Sequence, residues 1–553
     1  MSLILFDLLL FYHSMPVAKT TCSLITLLSL LGFIVYLNAL SGKFIWDDQS
    51  LVEDNQYIRD DSRLLKIFTQ DIGAGSGTKF NFYRPLQVVT YRLDYRLWGL
   101  NPLGYHLTNI ILHVLVAAVV YWLLTVLFSD HLLGFTAAVL FLVHPIHASV
   151  VSYVSGRADS LSALFTLLCF TAYVKSYPRI QRGTYVFMGV SYILALFAKE
   201  NSLILPALLW VYHATFKKPA GLKKLLGVMG ITFIYIGLRV TFLKPILFPL
   251  PFSVISFFQR LPGFLVALTN YLRLLFWPFD LHMEYGNYLF FPYDPKVIEG
   301  LLIFLSLGLL AIRKRKNHPV ISFSILWFLI TLLPVSIFAI NAYMAESWLY
   351  LSSIGFFLLM AYAIHYLYFR RGLRLLAGML FIGLTTFYSA LTIKQNTYWL
   401  EPISFYQRTL EYAPESSRIY FNLALEYKKV GQRIRAIAAL QKVIEIAPKD
   451  FEAYYILEKL YGEIGEKERV EELYTKALEK NPKFWGACIN LGNYYAQRGK
   501  IGEAIALYQR ALEINPQASE VYHNLCVVCT DQKMYELARP YCEKAETLRL
   551  DNP

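Results

Sequence analysis

Runs of about twenty apolar residues, each bounded by charges, recur through residues 1–399, and that is the length a helix needs to cross a bilayer. We read spans near 18–39, 105–128, 131–150, 157–177, 183–198, 201–216, 224–243, 297–313, 318–340, 347–369 and 373–393. A chain built this way must satisfy every backbone group inside each span, so the expected fold is all-α. The whole chain is 56% apolar and only 16% charged, which excludes a disordered protein.

Basic residues in short loops stay in the cytosol. Four loops carry them: Lys175, Arg179 and Arg182; Lys217, Lys218, Lys223 and Lys224; Arg313, Lys314, Arg315 and Lys316; Arg370, Arg371 and Arg374. With eleven spans and a cytosolic N-terminus, all four fall inside. The loop 40–104, the turns 151–156 and 199–200, the segment 244–296 and everything after residue 399 then fall outside. Residues 253–279 would allow one more crossing, but that would place Arg313–Lys316 on the wrong side. Arg260, Pro262, Arg273 and Pro278 interrupt the run, so a re-entrant or in-plane amphipathic helix is expected there. The first fifteen residues read as an interfacial helix or as the result of translation starting upstream of Met15; a cleavable signal is disfavoured.

Residues 1–399 hold 31 Lys/Arg against 17 Asp/Glu, whereas residues 400–553 hold 21 against 22. The basic excess therefore belongs to the membrane part, and the four cytosolic loops account for it. It reports orientation, and no nucleic-acid partner is expected.

After residue 399 the pattern changes. Pro414, Pro448, Pro482 and Pro516 are spaced by 34 residues, the period of tetratricopeptide helix pairs. Large and small packing positions recur in step: Tyr420, Leu423, Tyr427, Ala436, Leu440 and Val443 in the first unit; Tyr454, Leu457, Tyr461, Tyr474 and Ala477 in the second. The third has Leu491, Gly492, Tyr495, Ala504, Tyr508 and Ala511, and the fourth Tyr522, Leu525, Ala538 and Ala545. Four units plus a helix near 403–412 suffice to bury a continuous core. Two domains are expected, 1–399 and 400–553, the second an α-solenoid whose groove would hold an extended protein segment or serve as a spacer. Six cysteines are too few for a disulfide scaffold; Cys526, Cys529 and Cys542 fall on helix-packing positions of the fourth unit and read as core.

Chemistry must then be sought in the membrane part. The first outer loop carries Asp47 and Asp48, a pair suited to a general base, to a divalent cation such as Mg or Mn, or simply to a solvated acidic loop. Arg84, His144, His147, Arg157, Asp159, Lys199 and Glu200 lie on the same side. Ionisable groups at membrane depth tend to mark a site or to neutralise one another, as Arg157 with Asp159 or Lys199 with Glu200 could; lone cations there suit the phosphate of a lipid-linked donor. His144 and His147 lack the glutamate of a zinc helix motif, so helix-end packing or substrate hydrogen bonding is expected. No phosphate-binding loop, dinucleotide fingerprint or serine-hydrolase elbow occurs.

Taken in order, FIWDDQSLVEDN (44–55), YRPLQ (83–87), HPIHASVVSYVSGRADSLSALF (144–165), AKEN (198–201), NYLRLLFWP (270–278), AESWLYLSSIGF (345–356) and the repeats resemble the transmembrane and tetratricopeptide-repeat O-mannosyltransferases, within the GT-C glycosyltransferases. The resemblance covers nearly the whole chain. It implies a GT-C-type membrane domain in which Asp48 or Asp47 is the catalytic base, its partner orients acceptor or metal, and Arg84, Arg157 and Lys199 face the donor phosphate. His144, His147, Asp159, Glu200 and Glu346 would bind substrate or support the site. Ser347 and Ser352 stand where the family pattern has arginine and proline, which weakens a role for Glu346.

The function expected is transfer of a sugar, mannose by resemblance, from a polyprenyl- or dolichyl-phosphate donor to protein Ser/Thr hydroxyls on the non-cytoplasmic face. The membrane would be a bacterial inner membrane, or the endoplasmic reticulum. Rival readings are transfer to a lipid or cell-surface glycan, and a non-catalytic membrane anchor for the repeats.

Overall fold

The structure is a computed structural model that describes residues 17–218, 222–241, 257–286, 288–337, 342–370 and 372–551. The first fifteen residues and all of 244–256 lie outside the described residues. All regular structure among the described residues is helical. Two compact units divide after Tyr412. The boundary expected at 399 differs because the helix Pro402–Tyr412 stays with the first unit, where Phe405 and Tyr406 pack on Trp46 and Phe405 on Trp399.

Among the described residues of the first unit five helices are long and apolar enough to cross a membrane: Thr21–Ser41, Pro102–Phe128, Pro295–Lys314, Glu346–Phe369 and Arg374–Thr397. The pair His131–Val143 and Pro145–Val151 makes a sixth if it is one span bent by 55°. Shorter apolar helices occupy Arg182–Ala198, Leu225–Arg239 and Pro319–Pro334. The bend follows from Pro145, which excludes its predecessor from the helical region; His144 is extended at φ −78°, ψ 131°. Helix starts are set by side-chain caps that satisfy orphan amides: Asn101 accepts from Leu103, Asp130 from Leu133, and Asp294 from Lys296 with Pro295 following. The stretch 253–279, expected to hold a re-entrant or in-plane helix, is in its described part a continuous helix, Phe257–Phe276, carrying Pro262 inside it. Leu268, Tyr271, Leu274 and Leu275 on it are fully buried.

The second unit is four helix pairs: Ser417–Lys429 with Arg433–Ile446, Phe451–Glu463 with Glu468–Lys480, Trp485–Gln497 with Ile501–Ile514, and Ser519–Asp531 with Tyr535–Asp551. Large residues on the 34-residue period fill the core, among them Leu423, Tyr454, Leu457, Tyr474, Leu491, Tyr508 and Leu525. A Cβ at Gly492 would meet the Tyr508 ring at 2.6 Å, so this helix crossing needs glycine. Cys526 and Cys542, read from sequence as core thiols, instead form a disulfide across the fourth pair. They stand opposite each other on its two helices, 4.9 Å apart at Cα, a distance linear spacing does not encode.

The turn inside each pair needs a residue in the left-handed region. Gly431, Gly465 and Gly499 supply it at φ 75°, 81° and 77°, but the fourth unit places Lys533 there at φ 58°. A side chain costs about 1 kcal/mol or more in that conformation. Lys533→Gly should therefore raise the thermal midpoint of the repeat unit and Gly499→Lys should lower it, both read by circular dichroism of the full chain. Equal midpoints in all three proteins would refute the strain argument.

Candidate functional site

The outer loop turns sharply at Trp46, whose φ of 58° is uncommon for a bulky residue and is held by packing on Phe405 and Tyr406. After this kink the two adjacent carboxylates part. Asp47 lines a cavity of about 140 Å³. Asp48 is 1% exposed and lies behind it: Oδ1 accepts from the Ser155 amide (2.8 Å) and hydroxyl (2.5 Å), and Oδ2 from the Ile45 amide (3.0 Å). One carboxylate thus faces the cavity while the other clips the outer loop to the turn Val154–Gly156.

The cavity wall is assembled from six segments of the chain. Ser149, Tyr153, Ser155, Gly156 and Asp159 come from the bent pair and the helix after it, with Arg84, Lys199 and Glu346 from elsewhere. A Cβ on Gly156 would meet the Val150 carbonyl oxygen at 2.7 Å, so glycine lets the turn close against the preceding helix. Hence Asp47, Arg84, Asp159, Lys199 and Glu346 meet in one cavity, although up to three hundred residues separate them in sequence.

Cations and carboxylates pair across this wall, and not with their chain neighbours. Lys199 Nζ donates to both oxygens of Asp159 (2.7 and 2.8 Å). Arg84 Nη2 donates to Glu200 (2.9 Å), with Nε on the second oxygen (3.4 Å). Burial pushes the Glu200 carboxyl up, but the Arg84 charge and its hydrogen bond outweigh this and hold it at about 2. The local pairs Arg157 with Asp159 and Lys199 with Glu200 are replaced by these longer-range ones.

Arg157 departs most from its expected role. It is fully buried and does not line the cavity: Nη1 pairs with Asp94 (2.5 Å), Nε donates to Asn109 (2.8 Å) and Nη2 to the Tyr105 carbonyl (2.9 Å). A guanidinium with every edge engaged has nothing left for a donor phosphate, so Arg157 is a structural cation. His144 and His147 are likewise buried away from the cavity. His144 Nδ1 accepts from the Ile146 amide and its Nε2 lies 3.1 Å from the Leu275 carbonyl; His147 sits among Phe141, Tyr350 and Phe357. Both serve helix-end packing.

Glu346, weakened by the serine beside it, nonetheless lines the cavity. Its Oε1 accepts from the His282 amide (2.5 Å) and the Tyr285 hydroxyl (2.8 Å). Sequence reasoning missed Asp94, Ser155, His282 and Tyr285. Asp94 carries a signal in hindsight, an acid in the basic-aromatic helix YRLDYRLW; the other three carry none. Among the described residues no three His, Cys, Asp or Glu side chains cluster as metal ligands.

Burial is the main influence on Asp48 and pushes its carboxyl up to about 7, against the pull of its three hydrogen-bond donors; nearby Asp47 adds to the rise. The unfolded value is near 4. The folded chain therefore holds this proton more tightly, and the stability contributed is full below about pH 4 and lost as pH rises through about 7. The thermal midpoint should fall more between about pH 5 and pH 8 in the wild type than in Asp48→Asn. Parallel pH profiles would show that Asp48 does not titrate this way.

Residues 417–450 match a family model described as tetratricopeptide repeat, and residues 492–529 one described as TPR repeat. The chain is similar to a protein O-mannosyl-transferase of Caenorhabditis elegans, 27% identical over 421 residues, covering 72% of this chain and 59% of that one. Human protein O-mannosyl-transferase TMTC1 is 40% identical over 148 residues, 26% of this chain and 17% of that one; human TMTC2 is 36% identical over 150 residues, 27% and 18%. The chain thus spans under two thirds of the worm relative and under a fifth of the human ones. Among solved structures, MamA aligns at 23% identity over 30% of this chain and 94% of that one, with a TM-score of 0.24.

Proposed function

We propose that the chain is a membrane glycosyltransferase that moves a sugar from a polyprenyl-phosphate donor to a protein Ser/Thr hydroxyl. The carrying observation is the separation of Asp47, on the cavity wall, from Asp48, clipped behind it. The relatives' printed names point to mannose and to protein acceptors. Asp47 takes the hydroxyl proton as the acceptor oxygen attacks the anomeric carbon. The bond from that carbon to the phosphate oxygen breaks, and polyprenyl phosphate leaves with the electron pair, inverting the centre. Asp48 positions Asp47 through Ile45 and Ser155. Arg84 and Lys199, each held by a carboxylate, orient the donor.

The disulfide Cys526–Cys542 supports an oxidising compartment for the repeats, the side on which the span count also puts Asp47. On this reading the site and the repeats are periplasmic or lumenal, and the repeat groove presents acceptor segments. The test is sugar transfer from polyprenyl-phosphate mannose to protein in membranes containing the full chain. Dependence on the chain supports the reading; absence of transfer from every polyprenyl-phosphate sugar offered would overturn it.

A further inference from the structure

Arg84, Arg157 and Lys199 each have a carboxylate, in Glu200, Asp94 and Asp159. Arg239 has none among the described residues. It sits in the last turn of the helix Leu222–Thr241, with its guanidinium 5.8 Å from the Tyr83 ring, and its Nη1 is buried without a hydrogen-bond partner. The following residues, 240–256, contain no Asp or Glu. Four residues earlier, on the same helix face, Tyr235 is 6% exposed, and its hydroxyl is also buried and unpartnered. Tyr235 lies within electrostatic reach of Arg239, Glu200, Tyr83 and Arg84, near the ion pair whose Arg84 lines the cavity. Arg84, Arg239 and Glu200 together leave one positive charge uncompensated.

A buried guanidinium nitrogen on half-buried Arg239 and the buried Tyr235 hydroxyl, both without partners, are costly unless a ligand completes them. The surroundings say which kind of ligand. On the same helix Phe233, Ile234, Ile236 and Leu238 are exposed at 67%, 65%, 42% and 47%, an apolar face fit for hydrocarbon. We propose that Arg239 and Tyr235 form a seat for the phosphate of a polyprenyl phosphate, beside Arg84, with the lipid tail lying along the exposed face of their helix. The proposal rests on the glycosyl-transfer reading for its ligand and deepens it by moving the phosphate contact from Arg157 to Arg239. A phosphodiester donor carries one negative charge and the departing phosphate monoester nearly two. A cation without a counter-charge therefore interacts most strongly as the bond breaks.

The experiment measures direct binding of a long-chain polyprenyl phosphate to the full chain in a phosphate-free maltoside detergent, with phosphatidylglycerol as the competing lipid phosphate. Arg239→Gln should weaken polyprenyl-phosphate binding about 10- to 100-fold, and Tyr235→Phe by a smaller factor. Arg239→Lys, which keeps the charge, should recover part of the loss. Undiminished binding by folded Arg239→Gln would overturn the proposal. So would phosphatidylglycerol binding as tightly as polyprenyl phosphate and weakening equally in Arg239→Gln, because the seat would then hold bulk phospholipid. Binding is read without sugar transfer. A wild type that binds through Arg239 yet transfers no sugar keeps the seat and overturns the enzyme reading, whereas transfer with Arg239→Gln unaffected does the reverse.

Discussion

Asp47→Asn should lower the rate of the proposed sugar transfer by about 10²- to 10⁴-fold, the range a positioned general base contributes, and should leave donor KM little changed. The asymmetry between the two aspartates makes this specific. Asp47 borders the cavity, so an amide there removes the proton acceptor but keeps size and shape. Asp48 is engaged with Ile45 and Ser155, so its amide turns a donor toward donors and loosens the loop. Asp48→Asn should therefore lose thermal stability together with activity, whereas Asp47→Asn should melt as the wild type does. Full transfer in Asp47→Asn, with activity lost in a stable Asp48→Asn, would assign the base to Asp48 and sink the mechanism as written.

Arg157→Gln is expected to destabilise the first unit by about 3–5 kcal/mol, because it leaves the buried Asp94 carboxylate without a counter-charge. Asn109 and the Tyr105 carbonyl lose their donors in the same change. The pair Arg157→Met with Asp94→Leu should recover much of the loss, since removing both charges removes the desolvation penalty as well. Thermal unfolding in detergent compares the two variants. An Arg157→Gln protein as stable as the wild type, with donor KM raised, would return Arg157 to the phosphate-binding role implied by resemblance.

Local regularities were legible before any coordinates. The 34-residue spacing of Pro414, Pro448, Pro482 and Pro516 marks the starts of four helix pairs, each proline falling just before one, because each pair repeats one packing unit. Six of the eleven charge-bounded apolar runs coincide, among the described residues, with helices long and apolar enough to cross a membrane, counting the bent pair as one, because hydrocarbon admits only backbone that satisfies itself. The candidate aspartates stood out for a similar reason: acids directly after an apolar run are costly there unless something uses them.

Partnerships were not legible. Sequence proximity suggested Arg157 with Asp159 and Lys199 with Glu200, yet Arg157 took Asp94, Lys199 took Asp159, and Arg84 took Glu200 from 116 residues away. Glu346 joined the cavity wall despite the serine that weakened its case, and Cys526 found Cys542. The division has one physical cause. Helix length, membrane affinity and repeat period depend on residues a few positions apart, whose geometry the backbone imposes. Which cation meets which carboxylate depends on how helices cross, and therefore on packing distances that no stretch of chain contains. The amino-acid order accordingly specified helices, repeats and a pair of acids. Packing alone chose Asp47 to face the cavity, retired Arg157 into the core and left Arg239 without a carboxylate among the described residues.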